Sequence, residues 1–426
     1  MTPLFLGIDI GTSGVRACAI DGEERIVGAA SVALPPPRRD GAAIDQEPEF
    51  WWQATCDAIR ALGRSVDLSA IWRIAVDGTS GTLLLTDAAG RPVSPGLMYN
   101  DARSTHEAAR IKGIAPAESG AHGPSAALAK LLYLLGTSIR TQARHALHQA
   151  DWVAGRLANR FGVSDENNAL KLGYDPVTRS WPAWLDALQV PCSLLPEVLV
   201  PGSSIGTVDP KAAAMLGLPE TTIICVGTTD GVASFIATRA SAPGDAVTSL
   251  GTTLVLKLLS DRPIFAPAQG VYSHRLGERW LAGGASNSGG AALLAHFSAE
   301  RMAELMPLLS PEKPTGLDYY PLPKPGERFP ISDPVLPPRL SPRPADDVQF
   351  FQGLLEGIAA VEALAYQALK DLGAPSLQRV ISIGGGARNT AWTAMRHRIL
   401  GVPVSVAEET EASFGVALLA LHGGPP

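Results

Sequence analysis

Cysteine is scarce. The 426 residues hold four, at Cys18, Cys56, Cys192 and Cys225. No Cys-x-x-Cys pair occurs and the spacings fit no zinc pattern, so a disulfide framework or a zinc-knitted fold is excluded. The four cysteines read as small buried hydrophobes. The eight histidines show no metal-ligand spacing either. Excess positive charge is also missing. Lys and Arg total 35 against 41 Asp and Glu, a net charge of −6, with no dense basic block. A nucleic-acid partner needs a basic footprint, so none is expected. No run of about 18 apolar residues occurs, which argues against a membrane span. The first residues pass straight into an apolar alternation, without a basic segment followed by a cleavable apolar stretch. A cytoplasmic protein is expected. Three nucleotide-binding signatures are absent as well: the Walker A loop, the H-R-D-L loop and an intact G-x-G-x-x-G.

What remains is core-forming material. Hydrophobic residues make up 46% and charged residues 18%, ample for folded lobes and too apolar for disorder. Glycine (43) and proline (35) are abundant. They fall at turns between apolar runs, as in a loop-rich α/β protein. Leu4 to Ile10 alternates, breaks at Gly11-Thr12-Ser13-Gly14, and resumes from Val15 to Ile20, which predicts a hairpin. Ala246 to Leu250, Gly251-Thr252-Thr253 and Leu254 to Leu259 repeat that form. The repetition predicts two related halves. Between and after the hairpins, strand and helix patterns mix, so the class is α/β. Helices are expected over Glu47 to Leu62, Leu128 to Leu135, Trp152 to Arg160, Phe350 to Leu372, Thr390 to Leu400 and Glu411 to Leu421. Pro321 to Pro344 reads as a proline-rich surface excursion.

Four segments combine turn glycines with polar side chains. Asp9 precedes Gly11-Thr12-Ser13, a turn whose backbone N–H groups and hydroxyls suit phosphate oxygens. The carboxylate suits Mg²⁺ held through water. With the repeat at Gly251-Thr252-Thr253, two hairpins would grip a polyphosphate from both sides. Asp230 follows the short strand Ile223 to Val226. Ligand groups cluster beyond the carboxyl ends of strands, and a carboxylate there can accept a hydroxyl proton. Gly384-Gly385-Gly386 follows Val380 to Ile383, where glycines admit a flat ring or a phosphate. Asp77-Gly78-Thr79-Ser80-Gly81 and Asn100-Asp101-Ala102-Arg103 offer short polar side chains suited to a polyol. Each segment taken alone is equally an ordinary turn.

In order along the chain, these segments resemble the FGGY carbohydrate kinases of the actin-like ATPase superfamily. Gly7-Ile8-Asp9-Ile10-Gly11-Thr12-Ser13 is similar to the family's first phosphate hairpin. Asp45-Gln46-Glu47-Pro48-Glu49-Phe50-Trp51-Trp52 is similar to its "QDPExWW" helix start. Gly326-Glu327-Arg328-Phe329-Pro330 with Asp333-Pro334 is similar to "GERxPxxDP". Gly384-Gly385-Gly386-Ala387, Trp392 and Glu411-Ala412-Ser413-Phe414-Gly415 are similar to its adenosine region. The resemblance implies two ribonuclease H-like lobes with an interlobe cleft. The first would span residues 1–237, with 411–426 returning to it, and hold sugar and base; the second, 238–410, would hold nucleotide. It implies ATP and Mg²⁺ as cofactors and Asp230 as general base. Gly11, Thr12, Ser13, Gly251, Thr252 and Thr253 would cradle phosphates. Gly385, Gly386, Asn389 and Trp392 would border adenine. Asp9 would assist Mg²⁺, with Asp230 as a second candidate. Asp9, Thr79, Ser80, Asp101 and Asp230 would hold the sugar.

Departures within the resemblance bear on the sugar. The xylulose-kinase "QMH" step is Thr79-Ser80-Gly81 here, and the family's "W-x-D-x-R" is Tyr99-Asn100-Asp101-Ala102-Arg103. Short length and the "DGTSGT" step resemble the compact xylulose-kinase-like branch that acts on D-ribulose. D-ribulose is therefore expected first and D-xylulose second, in a monomer or homodimer. A non-catalytic nucleotide sensor and a phosphohydrolase of the same superfamily are the rival classes.

Overall fold

The computed structural model describes residues 2–424. The chain divides into two compact units. The first comprises Met1–Ala237, His274–Gly277 and Glu411–Pro426; the second comprises Thr238–Ser273 and Glu278–Thr410.

The first unit is built on a six-stranded sheet. Its strands are β1 (Leu4–Ile10), β2 (Gly14–Ile20), β3 (Ile26–Ala33), β4 (Ile71–Gly78), β5 (Ser204–Thr207) and β6 (Ile223–Cys225), in the order β5-β6-β4-β1-β2-β3. β1 is antiparallel to β2 and parallel to β4. Every residue of β1 is buried, which is why it reads as a near-continuous apolar run: both faces of the strand are covered. Helix α1 (Pro48–Leu62) covers part of the sheet. Proline at its start lacks only an N–H that has no helical partner there, and Trp51, Ile59 and Leu62 point into the core. A separate five-stranded antiparallel sheet, which includes Ala43–Gln46, Leu83–Thr86 and His145–His148, builds a second core with helix α2 (Ala127–Leu135). Helix α3 (Gln149–Ala158) follows His148 directly.

Helix α4 (Asp230–Ala237) and the last helix lie close together in this unit. A Cβ at Gly415 would stand 1.9 Å from the Ala233 carbonyl oxygen, and one at Gly7 would stand 1.9 Å from the Ser413 oxygen. Glycine at both positions lets the last helix pack on α4 and on β1.

The second unit repeats the scheme. Strands β7 (Asp245–Leu250), β8 (Leu254–Ser260), β9 (Arg279–Ser286), β10 (Arg379–Ile383) and β11 (Val404–Val406) run in the order β9-β8-β7-β10-β11. β7 is antiparallel to β8 and parallel to β10, as β1 is to β2 and β4. Two helices cover this sheet: α5 (Asp347–Asp371) and α6 (Thr390–Leu400). The final helix is α7 (Ala412–His422), in the first unit.

One expectation is qualified here and one is corrected. Helix α5 is long and apolar enough, by length and composition, to cross a membrane, although the sequence showed no unbroken apolar run. It is 72% buried over its most apolar stretch, with Leu354, Ile358 and Val361 in the core of the second unit, so its composition is that of a core helix. The proline-rich stretch is more than a surface excursion. Phe329 is fully buried, and Glu327 accepts hydrogen bonds from Ser286 Oγ (2.6 Å), Asn287 N (2.7 Å) and Tyr320 Oη (3.0 Å).

Candidate active site

The first unit gathers three carboxylates at the ends of neighbouring strands. Asp9 lies opposite Arg16 across the β1–β2 pair and opposite Asp77 across the β1–β4 pair. Residues in register on adjacent strands share a face, so Asp9 stands between a cation and a second acid. Arg16 Nη1 donates to Asp9 Oδ2 at 2.9 Å, and Arg16 also pairs with Glu411 at 3.3 Å. Gly78 forms a bridge to Thr229, which brings the segment before Asp230 beside β4. Asp230 opens α4, where the unpaired N–H groups of a first turn favour negative charge. Its Oδ1 accepts from Gly231 N at 2.6 Å.

These neighbours shift one another. Burial pushes Asp9 above the usual carboxylate range, against the pull of Asp77 and Arg16. Asp77 is pushed well above that range, first by complete burial, then by the charges of Asp9 and Asp230. Among the described residues no N–H or hydroxyl donor reaches either Asp77 oxygen. Of the adjoining acids, Asp77 therefore holds a proton most readily. From sequence, Asp77 is expected only as part of a polar segment suited to a polyol, and Arg16 is not expected at the site. Asp-Gly after a strand is ordinary turn chemistry, and the register that sets Asp77 against Asp9 is a long-range fact.

Around this group, Thr79 donates to Gln149 Oε1 from both N (3.1 Å) and Oγ1 (2.9 Å), and Asn167 Nδ2 donates to Thr228 Oγ1 (3.0 Å). Thr79 is thus tied to α3, while the Oγ of neighbouring Ser80 is buried with no partner among the described residues. Asp101, expected to touch substrate, is corrected. It is fully buried, with Oδ2 accepting from Ile44 N (2.6 Å) and Arg103 Nε (2.8 Å) and Oδ1 from Arg103 N (3.2 Å). Its oxygens hold two backbone N–H groups and the Arg103 guanidinium and leave little for a ligand.

Lys130 on α2 is fully buried and donates to the Gly81 and Met98 carbonyls, both at 2.7 Å. It fastens the turn after Ser80 to the strand end before Asp101. Burial pushes its pKa down from 10.5 to about 7. Replacing Lys130 with methionine should cost about 1–2 kcal/mol, since two carbonyls lose their donor. The sign of its pH dependence follows from that lowered value. Between pH 7 and 10.5 the unfolded lysine keeps a proton that the folded one has lost, so wild-type stability should rise with pH relative to Lys130→Met. Below pH 7 the two profiles should run parallel. Urea unfolding across this range checks both statements.

The second unit carries two glycine turns. The Gly251 and Thr252 carbonyls accept from Gly290 N (2.8 Å) and Ala291 N (3.0 Å), and Leu254 N donates to Ser288 O (2.8 Å). The 288–291 segment, unremarked in the sequence, therefore fixes this turn. Gly384 has φ +84°, and a Cβ there would meet the Leu250 backbone at 3.0 Å, so the triplet packs directly behind the end of β7. Gly385 is exposed and open. Asn389 caps α6 through Oδ1, which accepts from Trp392 N at 3.0 Å. Trp392 is buried in the core, donates to Leu355 O at 3.0 Å, and lies under Gly386. Its place supports the glycine loop from below, which corrects the expectation that its ring borders adenine. In this unit the positions matching Asp9 and Asp77 are Ser249 and Ile383, paired in the same register. The Asp9–Asp77 pair thus has no acidic counterpart at these positions of the second unit.

Two domain descriptions match the chain. The N-terminal domain of the FGGY family of carbohydrate kinases matches residues 4–237, and its C-terminal domain matches residues 246–423. The chain belongs to the FGGY family of carbohydrate kinases. It is thus a phosphotransferase. Among curated relatives, a xylulose kinase of Escherichia coli is 27% identical over 93% of this kinase and 85% of its own length. A gluconokinase of Bacillus subtilis is 24% identical over 99% and 88%. Among solved structures, a "xyloylose kinase" from Brucella ovis superposes with a TM-score of 0.87 at 27% identity, covering 99% of this kinase and 91% of that chain. Both units of the kinase thus share the actin-like ATPase fold of these enzymes.

No group of three or more His, Cys, Asp or Glu among the described residues would hold a metal by itself. Mg²⁺ asks for less: one or two carboxylates, with water and substrate phosphates supplying the rest. Asp9, a hard oxygen donor beside the donor-free oxygens of Asp77, fits that demand.

Proposed function

We propose that this kinase transfers the γ-phosphoryl group of ATP to a primary hydroxyl of a ketopentose, with D-ribulose as preferred acceptor. The observation that carries the reading is Asp230, a carboxylate on the first turn of a helix beside buried Asp9 and Asp77. In the reaction the acceptor oxygen attacks γ-phosphorus, the bond to the bridging oxygen breaks, and ADP leaves. Asp230 takes the hydroxyl proton. Asp9, held by Arg16, and Ser80 orient the acceptor. The turns at Gly11-Thr12-Ser13 and Gly251-Thr252-Thr253 cradle phosphates, and the Gly385-Gly386 loop with Asn389 receives the adenosine. Asp9, with Asp230 as a second donor, would hold Mg²⁺, which would supply neutralisation of the phosphate charge. Positioning supplies most of such catalysis. The same reading places the enzyme in the cytoplasm, as a monomer or homodimer.

D-ribulose rests on the short Thr79-Ser80-Gly81 step. D-xylulose is the second reading, supported by the relatives that bear the name xylulose kinase. A coupled ADP-release assay across D-ribulose, D-xylulose, gluconate and glycerol separates them. Ketopentoses should exceed glycerol by about 100-fold or more in kcat/KM. D-xylulose ahead of D-ribulose would exchange the two readings, and no sugar above background would end both.

A further inference from the structure

Two side-chain amides beside the acidic group are each tethered at one end and, among the described residues, unpartnered at the other. Gln149 and Asn167 are both fully buried. Gln149 Oε1 is held by Thr79 N and Oγ1, while its Nε2 has no partner. Asn167 Nδ2 is committed to Thr228 Oγ1, while its Oδ1 has none. The Thr79 N–H fixes the Gln149 amide, which therefore offers a donor; Asn167, set with Nδ2 on the Thr228 hydroxyl, offers an acceptor in this orientation. Both tethers end on segments next to the reacting group: Thr79 lies two residues after Asp77, and Thr228 two before Asp230. The Ser80 hydroxyl, likewise buried and unpartnered, adjoins the first of them. Asn168 shows a similar half-tethered amide, but its Nδ2 goes to Asp165, the cap of its own turn, and so it points to no site residue.

An unpaired buried amide end is costly and calls for a partner. Sugar hydroxyls both donate and accept, which is the pair of roles left open here. We propose that Gln149 Nε2 and Asn167 Oδ1 are sugar-binding groups that read two secondary hydroxyls of the acceptor. They thereby set which pentulose this kinase accepts. The inference rests on the proposed ketopentose reading and deepens it: the acceptor is a polyhydroxy ketone bound by two amides of opposite hydrogen-bonding sense. Asp165, whose Oδ1 accepts from Asn167 N (2.8 Å) and Asn168 N (3.1 Å), holds the turn that carries the acceptor end.

The test uses the full chain with D-ribulose, D-xylulose and the 3-deoxy and 4-deoxy analogues of the better substrate. Gln149→Glu keeps an oxygen toward Thr79 and replaces the free donor by an acceptor. It should raise the sugar KM by about 100-fold, with kcat within about threefold and ATP affinity unchanged. Wild type and variant should bind alike the analogue that lacks the hydroxyl read by Gln149. Asn167→Asp keeps a free acceptor and lets the Thr228 hydroxyl donate instead, so its sugar KM should rise by less than tenfold. The proposal is overturned if Gln149→Glu keeps wild-type sugar affinity, or if sugar and ATP affinity fall together with thermal stability. Should the variant fail to fold, the analogues decide on wild type alone: equal affinity for parent and both deoxy forms overturns the proposal. A wild type that phosphorylates no sugar overturns the ketopentose reading and this inference with it. An active wild type with an unaffected Gln149→Glu overturns only this inference.

Discussion

Asp230→Asn should lower kcat for sugar phosphorylation by about 10³- to 10⁴-fold, while ATP affinity and thermal stability stay near wild type. The size follows from the role: a positioned general base contributes about 10²- to 10⁴-fold, and here it also orients the attacking hydroxyl. The selectivity follows from the local structure. Asparagine keeps the shape and keeps an oxygen to accept from Gly231 N, so the first turn of α4 is not disturbed. It removes one negative charge near Asp77, whose own proton affinity is raised in part by Asp230. Asp77 should then ionise at lower pH than in wild type, and the acid limb of the residual pH–rate profile should move down. Steady-state rates, ATP titration and calorimetry on one preparation check all three statements. A kcat within tenfold of wild type would remove Asp230 from its role.

Why the site is only partly legible in the sequence follows from particular residues. The two hairpins are local: alternation on either side of a Gly-Thr turn states each of them, and the structure places the strands within a residue or two. The duplication is legible for the same reason. Asp77 is different. Its meaning comes from lying opposite Asp9 across a parallel pair, and no local pattern encodes the register of strands joined by so long a crossover. Asp101 fails as a substrate contact because its partner Ile44 N is far away in sequence. Trp392 stands beside a glycine loop in the sequence, but its burial depends on Leu355 of α5. Glycine turns are visible early because they are backbone features. Which side chains face a ligand is decided by tertiary pairing.

The second large effect is expected in the second unit. Arg396 and Glu362 are both fully buried. Arg396 Nε and Nη2 donate to the two Glu362 oxygens at 2.6 and 2.7 Å, and its Nη1 donates to Ser382 Oγ at 2.6 Å. Thr248 Oγ1 donates to Glu362 Oε1 at 2.6 Å and adjoins the Tyr366 hydroxyl at 2.7 Å. The network thus ties α5 and α6 to β7 and β10, two residues before Leu250 and two before Gly384. Arg396→Met leaves Glu362 as an uncompensated buried charge and should destabilise by about 3–5 kcal/mol. Replacing both partners, as Arg396→Met with Glu362→Leu, removes that charge. The double variant should be more stable than Arg396→Met alone, though Ser382 and Thr248 still lose partners. Because the network ends next to both glycine turns, the single variant should raise the KM for ATP about tenfold and leave the KM for sugar within twofold. Calorimetry on the two variants, with paired ATP and sugar titrations, gives the answer. A double variant less stable than the single one would mean that Glu362 left without Arg396 carries no such penalty. An ATP KM unchanged in a destabilised Arg396→Met would mean that the network supports the core without positioning the turns.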